Sequence, residues 1–424
     1  MLLLHFSDLH LGVDLYGSPD PTTGLSTRVG DFLRALDTIV DAAISKHVDA
    51  VLFTGDAFKN REPNPTLQRE LARRVMRLRA ADIPLVILVG NHDLPNATSR
   101  AAPTEIYSAL DIGGVYVARM VDAFTLPTRS GPLQIVALPW ITRQLLLSNA
   151  ASRKLNDLAL DEELATIISM MLGEMAAELD PTLPAVFLGH LSVQGATLGN
   201  ERSVLLTSDV VMSLDALHHR SYDYVALGHI HRRQQIGTVP PAWYAGSPER
   251  VDFGEEREDK GYLLVTIEQD DSAEPRGRRT TVEPVDLDAR TFLTLRIDGE
   301  QDEPMPHVLQ RVKRDAHRIN GAIVRVIVRT QPGRESEVRA TTVRRALQEA
   351  GAAVVANVIV ESERTDRDRL GVSEAAARDS MSMLTRWVET KPYSDALRRR
   401  VLDLGANMIR GQHAATGGNE STNG

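Results

Sequence analysis

The sequence predicts an α/β chain: a layered α/β domain over residues 1–280, a small α/β module over 285–368 and helices over 375–410. Three observations predict it. Short apolar runs alternate with longer stretches of helical periodicity, and most of the runs stop at a turn residue. Polar residues suited to chemistry follow the carboxyl ends of several runs, the edge at which α/β sheets collect ligands.

The runs at 2–6, 50–54, 85–89, 135–138, 185–188 and 224–227 read as strands, and 28–46, 66–80 and 161–179 read as helices between them. The acidic stretch 269–279 suits a hairpin tip or a connection. Beyond it, 291–297, 322–328 and 353–360 read as strands, with helical patterns at 307–318 and 334–350, which makes a β-α-β-α-β module. Residues 380–388 form an apolar-faced helix. After Pro392 a second helix carries Leu397, Val401, Leu404 and Met408, a stripe that either packs on its own protein or docks a partner helix. Residues 411–424, rich in Gly, Asn, Ser and Thr, are expected to be disordered.

Composition narrows the chemistry. With no cysteine, disulfides and thiolate ligation are excluded, so any metal must be held by nitrogen and oxygen, which suits manganese, iron or zinc. The formal net charge of −9 argues against a generally basic nucleic-acid binder. Yet residues 311–345 hold ten Lys/Arg against three Asp/Glu, so a local basic surface beside an acidic cleft is open to the fold. Solvated helix faces account for those charges equally well. No stretch approaches the roughly 20 apolar residues of a membrane span, and the opening Met1 to Leu4 is too short for a leader's apolar core. A cytoplasmic location, away from membranes, is expected.

Five motifs carry the functional signal: Asp8-x-His10, Gly55-Asp56, Gly90-Asn91-His92-Asp93, Gly189-His190 and Gly228-His229-x-His231. Residues two apart on an extended chain point the same way, so Asp8 with His10, and His229 with His231, can converge on one cleft. A carboxylate such as Asp56 can bridge two cations, and the Asn91 amide offers an oxygen to a hard or borderline ion. The glycines ahead of the ligands permit tight turns and close backbone approach. Together these residues supply what a two-metal hydrolytic site needs. The remaining histidines (His5, His47, His218, His219, His307, His317 and His413) are expected to be strand, helix-surface or loop residues.

This ordered set resembles the calcineurin-like metallophosphoesterase superfamily, whose pattern is D-x-H, GD, GNH[DE], GH and GHxH, over roughly residues 1–265. The resemblance implies a four-layer αββα sandwich. Phe58, the segment from Tyr244 through Gly246-Ser247-Pro248-Glu249-Arg250 to Glu255, and Lys260-Gly261-Tyr262 further resemble the SbcD-type nuclease subunits of bacterial DNA-repair complexes. Carried over, the pattern implies that Asp8, His10 and His231 hold one metal, that Asn91, His190 and His229 hold a second, and that Asp56 bridges them. His92 would sit beside the scissile phosphate and stabilise or protonate the departing oxygen, with Asp93 orienting it. Lys59 stands where some nuclease relatives have a histidine and is expected to contact a phosphate.

The resemblance implies two divalent ions, Mn2+ by preference, and 3′–5′ exonuclease and endonuclease action on DNA. It also implies a homodimer, with candidate helices around 101–110, and an SbcC-type coiled-coil ATPase as partner. The 285–368 module would be a capping, DNA-binding domain using Arg311, Lys313 and Arg314, while Leu397, Val401, Leu404 and Met408 would meet the ATPase. Aromatic residues make up only 4% and no stacking motif is evident, so DNA would be held through its backbone. Residue chemistry alone reaches phosphoester hydrolysis. It leaves open an enzyme for small phosphodiesters or phosphomonoesters, and the intact ligand set weighs against a scaffold that has lost catalysis.

Overall fold

The computed structural model describes residues 1–95, 100–142, 157–199, 210–273, 276–299, 304–362, 380–389 and 394–416. In chain order its strands are β1 Leu2–Phe6, β2 Ala50–Phe53, β3 Leu85–Leu88, β4 Val115–Ala118, β5 Asp122–Thr128 and β6 Gly131–Leu138. Next come β7 Ala185–His190, β8 Ser192–Val193, β9 Val211–Met212, β10 Tyr224–Gly228, β11 Gln234–Thr238 and β12 Pro241–Tyr244. The last are β13 Gly261–Gln269, β14 Arg278–Asp286, β15 Phe292–Asp298, β16 Ile323–Thr330 and β17 Val354–Ser362. The longer helices are α1 Thr27–Ser45, α2 Pro65–Ala80, α3 Asp157–Ala177, α4 Pro304–Arg314, α5 Ala340–Glu349, α6 Ser380–Glu389 and α7 Asp395–Thr416.

Two six-stranded sheets form the body, in the orders β14-β13-β1-β2-β3-β4 and β11-β12-β10-β7-β6-β5. In the first, β1 to β4 run parallel and β13 closes antiparallel on β1. In the second, β6, β7, β10 and β12 are parallel. Strand alternation sorts the side chains. Leu3, Leu52, Val86 and Leu88 face Ile135, Val186, Leu188 and Ala226 between the sheets, while Leu4, Phe6, Val51 and Phe53 face α1 and α2. On the far side α3 presents Leu160, Leu164, Ile168 and Leu172, four residues apart, to the second sheet. The result is a four-layer αββα sandwich, each fully buried aliphatic or Phe side chain contributing about 1.5–3 kcal/mol.

Local chemistry starts the helices on time. Ser26 accepts from the Arg28 N–H at the head of α1, and Asn64 accepts from Leu67 ahead of Pro65 at the first position of α2. The described residues of the stretch near 269–279, whose three Asp/Glu are balanced by three Arg, lie at the far end of the β13–β14 hairpin, which pairs from Gly261↔Asp286 to Gln269↔Arg278. The helical pattern at 334–350 narrows to a short 3₁₀ turn at Glu335–Glu337 followed by α5. Helix α7 runs to Thr416, so residues 411–416 of the expected tail are helical, as their Gln, His and Ala content allows. The rest of that tail lies outside the described residues.

His5 shows how the sheets are joined. Its ring lies between Tyr224 Oη of the second sheet (Nδ1, 2.8 Å) and Thr54 Oγ1 (Nε2, 3.0 Å), wholly buried. Burial lowers its pKa to about 3, against a weaker raising contribution from the Leu227 backbone. Between about pH 6.5 and 3 the unfolded chain therefore binds a proton at this site that the folded one does not, and stability falls as pH falls. The expected slope from His5 is about 1.4 kcal/mol per pH unit. Urea unfolding of chelator-treated protein at several pH values should show a slope shallower by that amount in His5→Gln. Parallel curves for the two proteins would remove the assignment.

Chain contacts divide the protein into two units: residues 1–297 with 308–327 and 340–359, and residues 298–307 with 328–339 and 360–424. β15, β16 and β17 form a three-stranded sheet in that order. In the second unit α6 packs on α7, with Leu384 filling the space a side chain at Gly405 would need. Leu397 and Leu404 of α7 are 44% and 58% exposed and Val401 is half-buried, while the Met408 side chain lies outside the described residues. No helix among the described residues is long and apolar enough to cross a membrane.

Candidate metal centre

The carboxyl ends of β1, β2 and β3 from one sheet and of β7 and β10 from the other deliver the motif residues to one place. Donor atoms of Asp8, His10 and His231 lie within 4.8 Å of one another, as do those of Asp56, His190 and His229, and those of His10, Asp56 and His92. Asn91 joins the second group, its Oδ1 lying 3.1 Å from both His190 Nε2 and His229 Nδ1. Asp56 belongs to two groups, with Oδ2 at 3.6 Å from His10 Nε2 and 3.4 Å from His190 Nε2. His10 Nε2 and His231 Nε2 face each other at 2.9 Å.

The backbone is bent to achieve this. Asp8, His10, Asp56 and His229 all have positive φ (52°, 44°, 55° and 95°), a left-handed conformation that Asp and His tolerate better than most residues. Such geometry gathers where function demands it. The N–H groups of Asp8 and His10 donate to the carbonyls of Gly55 and Asp56, which ties the first two motif loops together. Glycine is required beside them: a Cβ at Gly90 would meet the Asp56 carboxylate, and one at Gly55 would meet the His190 ring.

Hydrogen bonds fix which ring nitrogens face the cleft. His190 Nδ1 donates to the Thr54 carbonyl at 2.6 Å, leaving Nε2 toward Asp56 and Asn91. His231 Nδ1 donates to Glu255 Oε1 at 2.7 Å, leaving Nε2 toward His10. This is how metal-binding imidazoles are held in one tautomer. Burial resists charge on His190, yet Asp56 and Asp8 raise its pKa to about 9, so the cleft favours a cation where that ring sits. Burial works against ionised Asp56 too, but the neighbouring His190, His10 and His92 hold it well below the usual carboxylate range. An all-nitrogen-and-oxygen donor set with one shared carboxylate fits two borderline divalent ions.

His92 is exposed, with its backbone N–H on Asp56 Oδ1 at 2.9 Å and its Nδ1 on the Lys59 carbonyl at 2.9 Å. Asp93 is wholly buried and bonds to the backbone N–H groups of Ala57, Phe58 and Gly90. Burial, and after it the Asp56 charge, raises Asp93 to about 7. The contact that sets the His92 ring is thus the Lys59 carbonyl, and Asp93 shapes the loop beneath it. The Lys59 ammonium pairs with Asp14 at 2.9 Å on the surface. Arg311 and Arg314 neighbour Asp315 at the end of α4, the last turn of which also carries Lys313.

Two residues near the candidate ligands were not anticipated from the motifs. Trp140 lies with its ring centroid 4.8 Å from that of His229 and 6.1 Å from that of His190. Glu255, buried behind His231, belongs to the Ser247–Lys260 segment, whose residues carry a resemblance but no motif chemistry of their own. The need of a ligating imidazole for an acceptor on its second nitrogen is the signal that points to such a carboxylate.

Comparison with known proteins places this geometry in a family. The pattern described as calcineurin-like phosphoesterase matches residues 1–233. Among curated relatives, the SbcD nuclease component of SbcCD from Escherichia coli (strain K12) is 30% identical over 278 residues, covering 63% of this chain and 65% of that protein. The chain thus spans a little under two thirds of that relative's length. The corresponding SbcCD nuclease component of Rhodobacter capsulatus is 26% identical over 329 residues (74% and 76%). "DNA double-strand break repair protein Mre11" of Sulfurisphaera tokodaii is 25% identical over 309 residues (71% and 67%). On a match that spans more than half of its length, the chain belongs to the calcineurin-like phosphoesterase family.

Proposed function

We propose that this protein is a metal-dependent DNA nuclease, the phosphodiester-cleaving subunit of an SbcCD-like double-strand-break repair complex. The observation that carries the proposal is the Asp56 carboxylate, which clusters with His190 and His229 on one side and with His10 and His92 on the other, His10 in turn clustering with Asp8 and His231. Asp8, His10 and His231 would hold one divalent ion, Asn91, His190 and His229 the other, with Asp56 common to both. The ions would supply positive charge to offset the phosphodiester's anionic oxygens and to acidify water. Mn2+ is the ion we propose on the strength of the sequence resemblance.

The chain's own residues divide the remaining work. A carbonyl oxygen only accepts, so the Nδ1 of His92 bears its proton and Nε2 is left to serve the substrate. Water oxygen adds to phosphorus and sheds a proton to solvent, the bond from phosphorus to the 3′ oxygen breaks, and His92 in its doubly protonated form, with a second proton on Nε2, gives that proton to the leaving oxygen. Asp93, by pinning three backbone N–H groups, keeps the turns bearing Asp56 and His92 in register. Residues 285–368 are proposed as a cap over DNA that uses Arg311, Lys313 and Arg314, and 375–410 as the contact for an SbcC-type ATPase through the α7 stripe. The complete enzyme is proposed to be a homodimer in the cytoplasm.

The test is digestion of a 5′-labelled linear duplex with Mn2+, beside bis(p-nitrophenyl) phosphate. A ladder shortening from the 3′ end is expected. Rapid hydrolysis of the small ester with DNA left intact, even with the ATPase partner added, would overturn the nuclease reading in favour of a small-substrate phosphoesterase.

A further inference from the structure

We propose that Glu255 is the positioning residue of the first metal position, holding His231 so that its Nε2 faces the cleft, with Lys260 anchoring Glu255 in turn. This rests on the assignment of His231 as a ligand. The carboxylate is almost fully buried and divides its two oxygens between two tasks. Oε1 accepts a hydrogen bond from the His231 Nδ1–H at 2.7 Å. Oε2 meets the Lys260 ammonium at 2.7 Å and the Val251 N–H at 3.0 Å, with Ser247 Oγ farther off at 3.4 Å.

Lys260 closes the arrangement. Its ammonium, also buried, donates to the backbone carbonyl of His231 at 3.2 Å and to Ser247 Oγ at 2.8 Å. One buried ion pair therefore grips the same histidine twice, by its ring through Glu255 and by its backbone through Lys260. An ion pair serving stability alone needs neither contact, because Glu258 at 2.9 Å already neutralises Lys260. An anionic acceptor on Nδ1 fixes the tautomer and makes the opposite nitrogen a stronger donor.

The segment that carries Glu255 is anchored at several points. Asp252 caps the short turn Phe253–Glu255. Phe253 packs edge-on against Phe292 and Tyr16, with the Arg325 guanidinium 4.3 Å from its ring centroid. Glu256, next in sequence, accepts from the N–H and hydroxyl of Thr294. Glu255 is thus set by the strand that begins the three-stranded sheet as well as by its own loop.

The experiment titrates the full-length apoprotein with Mn2+ by calorimetry and counts bound metal, for wild type, Glu255→Gln, Glu255→Asp and His231→Ala. Glu255→Gln is isosteric but uncharged, and should weaken one of the two ions by about 10–100-fold while sparing the other. Glu255→Asp keeps a charge for Lys260 but withdraws the carboxylate by a methylene, so it should weaken the same ion even if the Gln variant folds poorly. His231→Ala should affect that ion more severely. Wild-type affinities in both Glu255 variants, with one ion lost in His231→Ala, would overturn the positioning role. Two normally bound ions in His231→Ala would instead overturn the ligand assignment on which it rests.

Discussion

His92→Gln is expected to lower kcat on DNA by about 10²–10⁴-fold, the range for losing a positioned proton donor, while both metal ions stay bound. The corresponding rise in barrier is roughly 2.7–5.4 kcal/mol. The expectation follows from the ring's attachment: Nδ1 is committed to the Lys59 carbonyl, and the exposed side chain reaches the open side of the site. Glutamine keeps a polar group but has no proton to deliver near neutral pH. Single-turnover digestion together with metal analysis separates the two possible roles. Because His92 shares a donor group with His10 and Asp56, a variant that lost metal would have to be moved into the ligand set.

Asp56→Asn should have the broader effect, since it weakens both ions at once. The native carboxylate remains ionised in a buried place because three histidines surround it. Asparagine removes that charge but tolerates the left-handed backbone at this position and retains an oxygen for the His92 N–H. The loop should survive while metal affinity falls by more than the roughly 10–100-fold typical of altering an outer partner, and nuclease activity should drop to background. Metal content after dialysis against micromolar Mn2+ is the deciding measurement. Two ions retained at wild-type affinity would show that Asp56 does not bridge them.

What the sequence made legible was governed by burial. β1, β2, β3, β7 and β10 are buried on both faces, so they read as continuous apolar runs, and the donors at their ends came with them. Strands with a solvent face escaped: β14 alternates half-buried and exposed residues and carries Arg, Thr and Glu, so it resembles a loop. β5 and β11 share that character, whereas β4 and β13 are apolar and largely buried and were missed for want of a flanking motif rather than for a solvent face. Within the site, residues offering an atom directly to the cleft formed recognisable motifs. Glu255 acts through a histidine 24 positions away, and no spacing rule reaches it. The part of Lys59 that meets His92 is a carbonyl, which every residue possesses, so side-chain identity could not disclose it.

The antiparallel pairing of β1 with β13 also governs the order in which the molecule can be made. Leu3 to His5 find one neighbour at residues 50–52 but the other only at 263–265. At about 5–20 residues per second, a ribosome needs roughly 11–43 s to bring out the second after the first. During that interval the apolar edge of β1 lies open to mispairing, the hazard that free strand edges carry. Asp8 and His10 wait as long for His229 and His231. The complete donor set, drawn from both sheets, therefore comes together only once the second sheet has formed beside the first.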